Sequence, residues 1–248
     1  MEKITSRKNS YILRLRALAN DGELRRSEGE YLCDGLKLLE EALQKAACVR
    51  SVLWKGEAKT IPGLEGAKQY VAEAELFDYA SPMKNSPGPV FTVAMPGETE
   101  AEFDCAVLLE NVQDPGNVGT VIRTAAAMGV KTVMLCGACA DVYSPKTARA
   151  TMGAIFSERI IRCDIDAAAA LVRSRGMKLY GAALSDRAKD IRELDIKKAV
   201  VAIGSEGRGL SPEFLKLCDG ELIIPMAPGS ESLNAAVAAS IVLWEMAR

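Results

Sequence analysis

From residue 105 onward the chain alternates continuous apolar runs with segments of helical periodicity. "CAVLLENV" (105–112), "KTVMLC" (131–136), "KLYGAAL" (178–184), "KAVVAIG" (198–204) and "ELIIPM" (221–226) are nearly unbroken apolar stretches, the pattern of strands covered on both faces. Helical spacing between them predicts helices in "NVGTVIRTAAAMG" (117–129), "SPKTARATMGA" (144–154), "DAAAALVRSRG" (166–176) and "SPEFLKLCD" (211–219), with a last one starting at Ser232 as N-cap. Gly129 is placed to close the first of these. Ser144 and Ser211 are placed to cap two others, each with Pro at the first helical position. Such alternation predicts an α/β fold with a parallel, helix-flanked sheet.

The first 95 residues read differently. "NSYILRLRALAN" (9–20) and "GLKLLEEALQKA" (35–46) predict amphipathic helices, and "EYLCDG" (30–35), "VRSVLW" (49–54) and "GPVFTVAM" (88–95) predict short strands. The acidic stretch "MPGETEAEFD" (95–104) carries Pro96 and Gly97 and is expected to be a linker. Two domains are therefore expected, 1–97 and 104–248.

Composition excludes several kinds of chemistry. There is no His among the 248 residues, which removes His-based triads, His-ligated metals and a His general base. Seven Cys and no secretory or membrane-spanning run point to a reduced, cytoplasmic setting without a membrane. Cys136 and Cys139 form one C-x-x-C; without a second pair it is read as packing rather than as a metal site. A net charge of −2 gives no global nucleic-acid signal, although a local basic face suffices for RNA.

Ligands of parallel sheets bind at strand carboxyl ends, and three strand-end loops stand out. In "ENVQDPGNVGTVIRTA" (110–125), Asp114-Pro115-Gly116-Asn117 is turn chemistry. Arg123 is either an ion-pair partner, with Glu110 as candidate, or an anion binder. In "GSEGRGL" (204–210), Gly204 and Gly207 allow close backbone approach, and Glu206 is either a solvated carboxylate or functional. "PMAPGSESLN" (225–234) joins a strand end to a helix start, so free carbonyls and N–H groups lie side by side with Ser232 and Asn234. It serves as an ordinary cap or as a cradle for an adenine edge. No G-x-G-x-x-G or P-loop is present, which weakens a nucleotide-dependent oxidoreductase or P-loop reading.

Taken together, the three loops resemble the motifs of the SpoU (TrmH-type) RNA ribose 2′-O-methyltransferases of the SPOUT superfamily. "SPKTARATMGAIF" is similar to the family's intervening segment, and "TSRKNSYILRLRAL…LCDGLKLLEEAL" to its L30e-like substrate-binding domain. The resemblance implies an α/β carboxyl-terminal domain with a deep trefoil knot, S-adenosylmethionine as cofactor, no metal, and a homodimer formed through the knotted domain. By motif position it implies cofactor contacts at Gly204, Ile224, Met226 and Leu233, and functional polar residues at Asn117, Arg123, Glu206, Ser232 and Asn234. In the third motif "AA" follows Asn234 where many members have a β-branched residue and Ser. Ribosomal RNA is the expected substrate, with tRNA, or a non-catalytic RNA-binding role on the same fold, as alternatives. Arg7, Lys8, Arg25 and Arg26 are candidate RNA contacts; nearby Asp21, Glu23, Glu28 and Glu30 allow the alternative of a solvated charged face.

Overall fold

A computed structural model describes residues 1–97, 102–227, 229 and 232–248. The chain divides into two compact units, one of Met1–Thr99 with Asp141–Phe156, the other of Glu100–Ala140 with Ser157–Arg248. Residues 98–101 of the expected linker lie outside the described residues.

The second unit is built on a seven-stranded sheet in which every pairing is parallel. Its strands are β6 (Ala106–Glu110), β7 (Thr132–Cys136), β8 (Arg159–Cys163), β9 (Lys178–Ala182), β10 (Lys189–Asp190), β11 (Ala199–Ile203) and β12 (Gly220–Ile223), in the order β10-β12-β9-β11-β6-β7-β8. The central strands β6, β7 and β11 are buried along their whole length, which explains their unbroken apolar sequences. Leu108, Met134, Val200 and Ala202 pack with Ala168, Ala169 and Val172 of α7 (Ile165–Ser174) and Phe214 of α8 (Pro212–Leu217). Side-chain alternation sends Val107, Leu109 and Val133 to the opposite face. There α5 (Pro115–Met128) packs on α9 (Ala235–Ala247) and on β7, and α9 packs on β11.

Two sequence expectations shift here. Asp114-Pro115-Gly116-Asn117 is the start of α5, with Asp114 as N-cap accepting from the Asn117 N–H at 2.8 Å and Pro115 in the first turn. The last strand stops at Ile223, and α9 starts at Ala235 with Asn234, not Ser232, as its cap. Two short strands, β8 and β10, escaped the sequence reading because β8 ("RIIRC") is interrupted by charge and β10 has only two residues.

The first unit holds a mixed sheet of β1 (Glu2–Ile4), β2 (Glu30–Asp34), β3 (Val49–Lys55), β4 (Lys68–Ala72) and β5 (Val90–Ala94), ordered β1-β4-β3-β5-β2. Helices α1 (Ser10–Asn20), α2 (Gly22–Glu28), α3 (Leu36–Gln44), α4 (Ala74–Ala80) and α6 (Pro145–Ala150) complete it. Ile12, Leu15 and Leu18 of α1 pack with Leu32, Leu53 and Phe77. The segment 141–156 belongs here through specific contacts: Tyr143 lies 4.9 Å from Tyr31, ring to ring, and Asp141 pairs with Arg25 at 2.6 Å. A break at residue 97 alone misses this, because the segment is far away in sequence.

Arg25 is the clearest correction among the candidate RNA contacts. It is 4% exposed and donates both to Asp141 and to the Leu18 carbonyl, so it ties α2 to the chain rather than meeting RNA. Arg25→Ala would strip Asp141 of its partner and lower stability by about 3 kcal/mol. Urea unfolding followed by circular dichroism measures this, and a curve overlaying that of the unsubstituted protein would contradict it.

Candidate functional site

Because the second sheet is parallel, the carboxyl ends of β6, β9, β11 and β12 open on one edge. A chain of side-chain hydrogen bonds joins three of the loops that leave that edge. Asn117, in the first turn of α5, donates from Nδ2 to Glu206 Oε1. Asn234 donates from Nδ2 to Asn117 Oδ1 at 3.2 Å. The same Asn234 accepts from Ala236 N at 2.9 Å and Val237 N at 3.3 Å through Oδ1. A carboxamide has both an acceptor and donors, so one side chain caps α9 and reaches across to α5. A serine hydroxyl is too short to do both, which is why Asn234 takes the capping position and Ser232 lies outside the helix.

Beside this chain lies a cleft of ≈ 650 Å³. Gly204, Ile224, Met226 and Leu233 all line it, as do Glu206 and Ser232. Its walls are the ends of β9, β11 and β12 and the first turn of α9, including Ala235 and Ala238. Ile224 and Met226 follow β12 without belonging to a strand, so their backbone groups have no ladder partners there. Residues 228, 230 and 231 of the third loop lie outside the described residues.

Gly204 owes its identity to packing. A Cβ at this position would lie 1.9 Å from the carbonyl carbon of Gly209 and 2.2 Å from Leu210 N. The loop turns back on itself, with Gly209 N donating to Ser205 O at 2.8 Å. Gly204 therefore lets the loop fold against its own strand, while Gly207 faces open space with nothing within 4 Å. The loop's far end is anchored by Glu110, a 3%-exposed carboxylate that accepts from Ser211 N at 2.8 Å and Ser211 Oγ at 2.6 Å.

That anchoring displaces the expected Arg123–Glu110 pair, since Glu110 is taken up by Ser211. Arg123 is exposed on α5, makes no hydrogen bond or ion pair among the described residues, and does not line the cleft. It is the one predicted polar residue not gathered with the others. In the first unit, Arg7 pairs with Glu75 and sits over the Tyr79 ring at 4.9 Å, whereas Lys8 and Arg26 are exposed.

Cys136 and Cys139 are buried and share no metal-like cluster; no group of metal-ligating side chains occurs among the described residues. Cys136 faces Cys163, Sγ to Sγ at 4.0 Å, rather than Cys139. The thiol of Cys136 is pushed up by its hydrogen bond with Cys163 and by burial.

One part of the cleft was absent from the sequence reading, namely Ala182–Ser185 beyond β9. Leu184 there is 61% exposed on the rim, and Ser185 donates to Glu221, which also accepts from Arg187 at 2.6 Å. The available signal was the apolar run 178–184 ending in Ser-Asp, a fourth strand end on the same edge.

The chain is similar to several known proteins. A family model described as the SpoU rRNA Methylase family matches residues 104–244. The 23S rRNA (guanosine(2553)-2′-O)-methyltransferase RlmP of Bacillus subtilis is 31% identical over 247 residues, covering 99% of each chain. The crystal structure of an AdoMet-bound rRNA methyltransferase from Sinorhizobium meliloti is similar with TM-score 0.86 and 27% identity, over 98% of this chain and 96% of that one. The tRNA (guanosine(18)-2′-O)-methyltransferase of Thermus thermophilus is 36% identical over 148 residues, 58% of this chain and 75% of its own.

Gly204→Ala is expected to push the 205–210 loop away and cost about 3 kcal/mol. Hydrogen exchange should rise across 204–210 while β6 and β7 stay protected. Unchanged exchange in that loop would contradict the packing argument.

Proposed function

The chain belongs to the SpoU rRNA methylase family, and we propose from its geometry how it carries out that family's reaction. It is an S-adenosylmethionine-dependent enzyme that methylates a ribose 2′-hydroxyl of RNA, and ribosomal RNA is the main reading of its substrate. The similarity to RlmP runs the whole chain, whereas the similarity to the tRNA enzyme stops at 58% of it; this favours ribosomal over transfer RNA. The single observation carrying the assignment at residue level is the hydrogen-bonded set Asn234, Asn117 and Glu206 on the rim of the Gly204–Leu233 cleft.

The cleft fits S-adenosylmethionine in size and chemistry. Its volume is within the range of about 300–1,000 Å³ for small-ligand sites. Apolar side chains (Leu184, Ile203, Ile224, Leu233) suit an adenine ring, and the backbone around Gly204, Ile224 and Met226 supplies edge donors and acceptors. When bound, this cofactor supplies an activated methyl group for attack by the ribose 2′-hydroxyl, so no metal is needed.

The chain's own residues must place that hydroxyl and receive its proton. We assign proton acceptance to the Glu206 carboxylate, oriented by the Asn117 amide, with Asn234 orienting Asn117 in turn. Ser232 lines the same cleft as Glu206. A guanidinium is a poor base, so Arg123 is not assigned proton acceptance. Its role is to hold the phosphate beside the target ribose and to stabilise developing alkoxide charge.

Its position outside the cleft lining is reconciled by a homodimer. Along α5 and α9 runs a groove lined by Thr120, Thr124, Met128, Val237, Ile241 and Trp244. Val237 is 48% and Trp244 60% exposed on this groove, neighbouring apolar side chains of the kind that interfaces cover. A second copy docked there would cover Trp244 and place Arg123, one position from Thr124, beside the interface. The knot is proposed on family grounds. The first unit is proposed to grip RNA, with Lys8 and Arg26 as its exposed cations and Arg7 partly neutralised by Glu75.

Methyl transfer from radiolabelled S-adenosylmethionine to rRNA from cells lacking the chain, followed by mapping of 2′-O-methyl positions, tests the assignment. One new site in ribosomal RNA is expected; methylation of tRNA alone would reject the substrate choice. Arg123→Lys should leave RNA affinity within about threefold and slow single-turnover methylation about 100-fold, whereas an unchanged rate would remove Arg123 from the chemistry. Trp244→Asp should shift the sedimenting species from dimer to monomer. A monomer before substitution would refute the interface.

A further inference from the structure

A second cleft of ≈ 720 Å³ lies on the other side of the 205–210 loop. Asn111, Gln113 and Ala138 line one wall; Ser205 to Pro212 line the other. The loop from Ser205 to Leu210 is thus a partition, and Glu206 borders both clefts. Transfer between two bound reactants requires the reacting atoms about 3–3.5 Å apart, so the acceptor must lie against the partition that borders the donor. The groove along α5 and α9 does not include Glu206.

Lining chemistry separates the two clefts. The first is walled largely by Ala, Leu and Ile; the two share Ser205 to Leu210, Arg208 included, and the second alone adds two side-chain amides, those of Asn111 and Gln113, and the Ser211 hydroxyl. Side-chain amides match the paired donors and acceptors of a base edge, and a guanidinium matches phosphate. Gln113 and Arg208 are exposed and have no hydrogen-bond or ionic partner among the described residues. Asn111 holds an uncommon left-handed conformation (φ 57°), fixed by Ala138 N donating to its Oδ1 at 2.8 Å, which leaves Nδ2 to a ligand. Gly137 makes room for that arrangement, since a Cβ there would lie 2.3 Å from Asn111 Oδ1. The Glu110–Ser211 anchor fixes the opposite wall. The site is therefore built before any ligand arrives.

We propose that this second cleft seats the acceptor nucleotide of the RNA, with Gln113 and Asn111 addressing the base edge and Arg208 a flanking phosphate. The inference rests on the methyltransferase reading and adds the residues that select the nucleotide. The test is steady-state methylation of rRNA from cells lacking the chain by the full-length protein carrying Gln113→Ala, Arg208→Ala or the near-isosteric Gln113→Glu, beside calorimetric titration with S-adenosylmethionine. Each substitution should raise the KM for RNA about tenfold, while in the Gln113 variants the Kd for S-adenosylmethionine stays within about twofold. Unchanged KM in Gln113→Glu and Arg208→Ala, with the unsubstituted enzyme active, would overturn this inference alone. A Kd for S-adenosylmethionine rising in step with KM in the Gln113 variants would also overturn it, by assigning Gln113 to the donor cleft. An unsubstituted enzyme that methylates no RNA would overturn the functional reading, and this inference with it.

Discussion

Three loops meet through two amide hydrogen bonds that span 89 and 117 residues of sequence, and the site depends on that meeting. Asn234 reaches Asn117, and Asn117 reaches Glu206. None of the three is deeply buried, so each bond alone contributes modestly to stability, about 1 kcal/mol. Their value is geometric. The parallel sheet brings the strand ends to one edge, and the amides fix which way the carboxylate between the two clefts points.

Rigidity beneath that set comes from a different source. Gly204 admits a backbone contact that no other residue allows, and Glu110, buried at the end of β6, holds the far end of the same loop through Ser211. The loop carrying Glu206 is therefore clamped at both ends and exposed only in the middle, at Glu206 to Gly209. A buried carboxylate with both oxygens satisfied serves this purpose well, because moving the loop would leave the charge without partners. Catalytic groups placed on a loop gain precision when the ends of that loop are fixed by the scaffold.

Much of this was legible in the sequence. Unbroken apolar runs announced buried parallel strands, and strand-end loops rich in Gly, Asn and Ser announced the site; Asn117, Glu206 and Asn234 do converge, and Gly204, Ile224, Met226 and Leu233 do share a cleft. What failed depended on contacts far apart in sequence. Arg25 sits among charged neighbours and reads as surface, but Asp141 buries it. Glu110 was offered to Arg123, yet Ser211 claims it. Ser232 and Asn234 are equally good caps on paper; only the position of α5 decides between them, because Asn234 can serve both helices at once. The acceptor-side cleft was invisible because Gln113 and Asn111 carry no pattern of their own, and the wall that faces them comes from residues 205–212.

The central claim is that the strand-end loops hold the methyl donor largely through their main chain. Hydrogen–deuterium exchange of the full-length protein, with and without saturating S-adenosylmethionine, measures those main-chain groups directly. Protection is expected at 183–185, 204–210, 224–227 and 233–235 alone, with the first unit unaffected. Protection spread over the first unit, or none within those four segments, would contradict it.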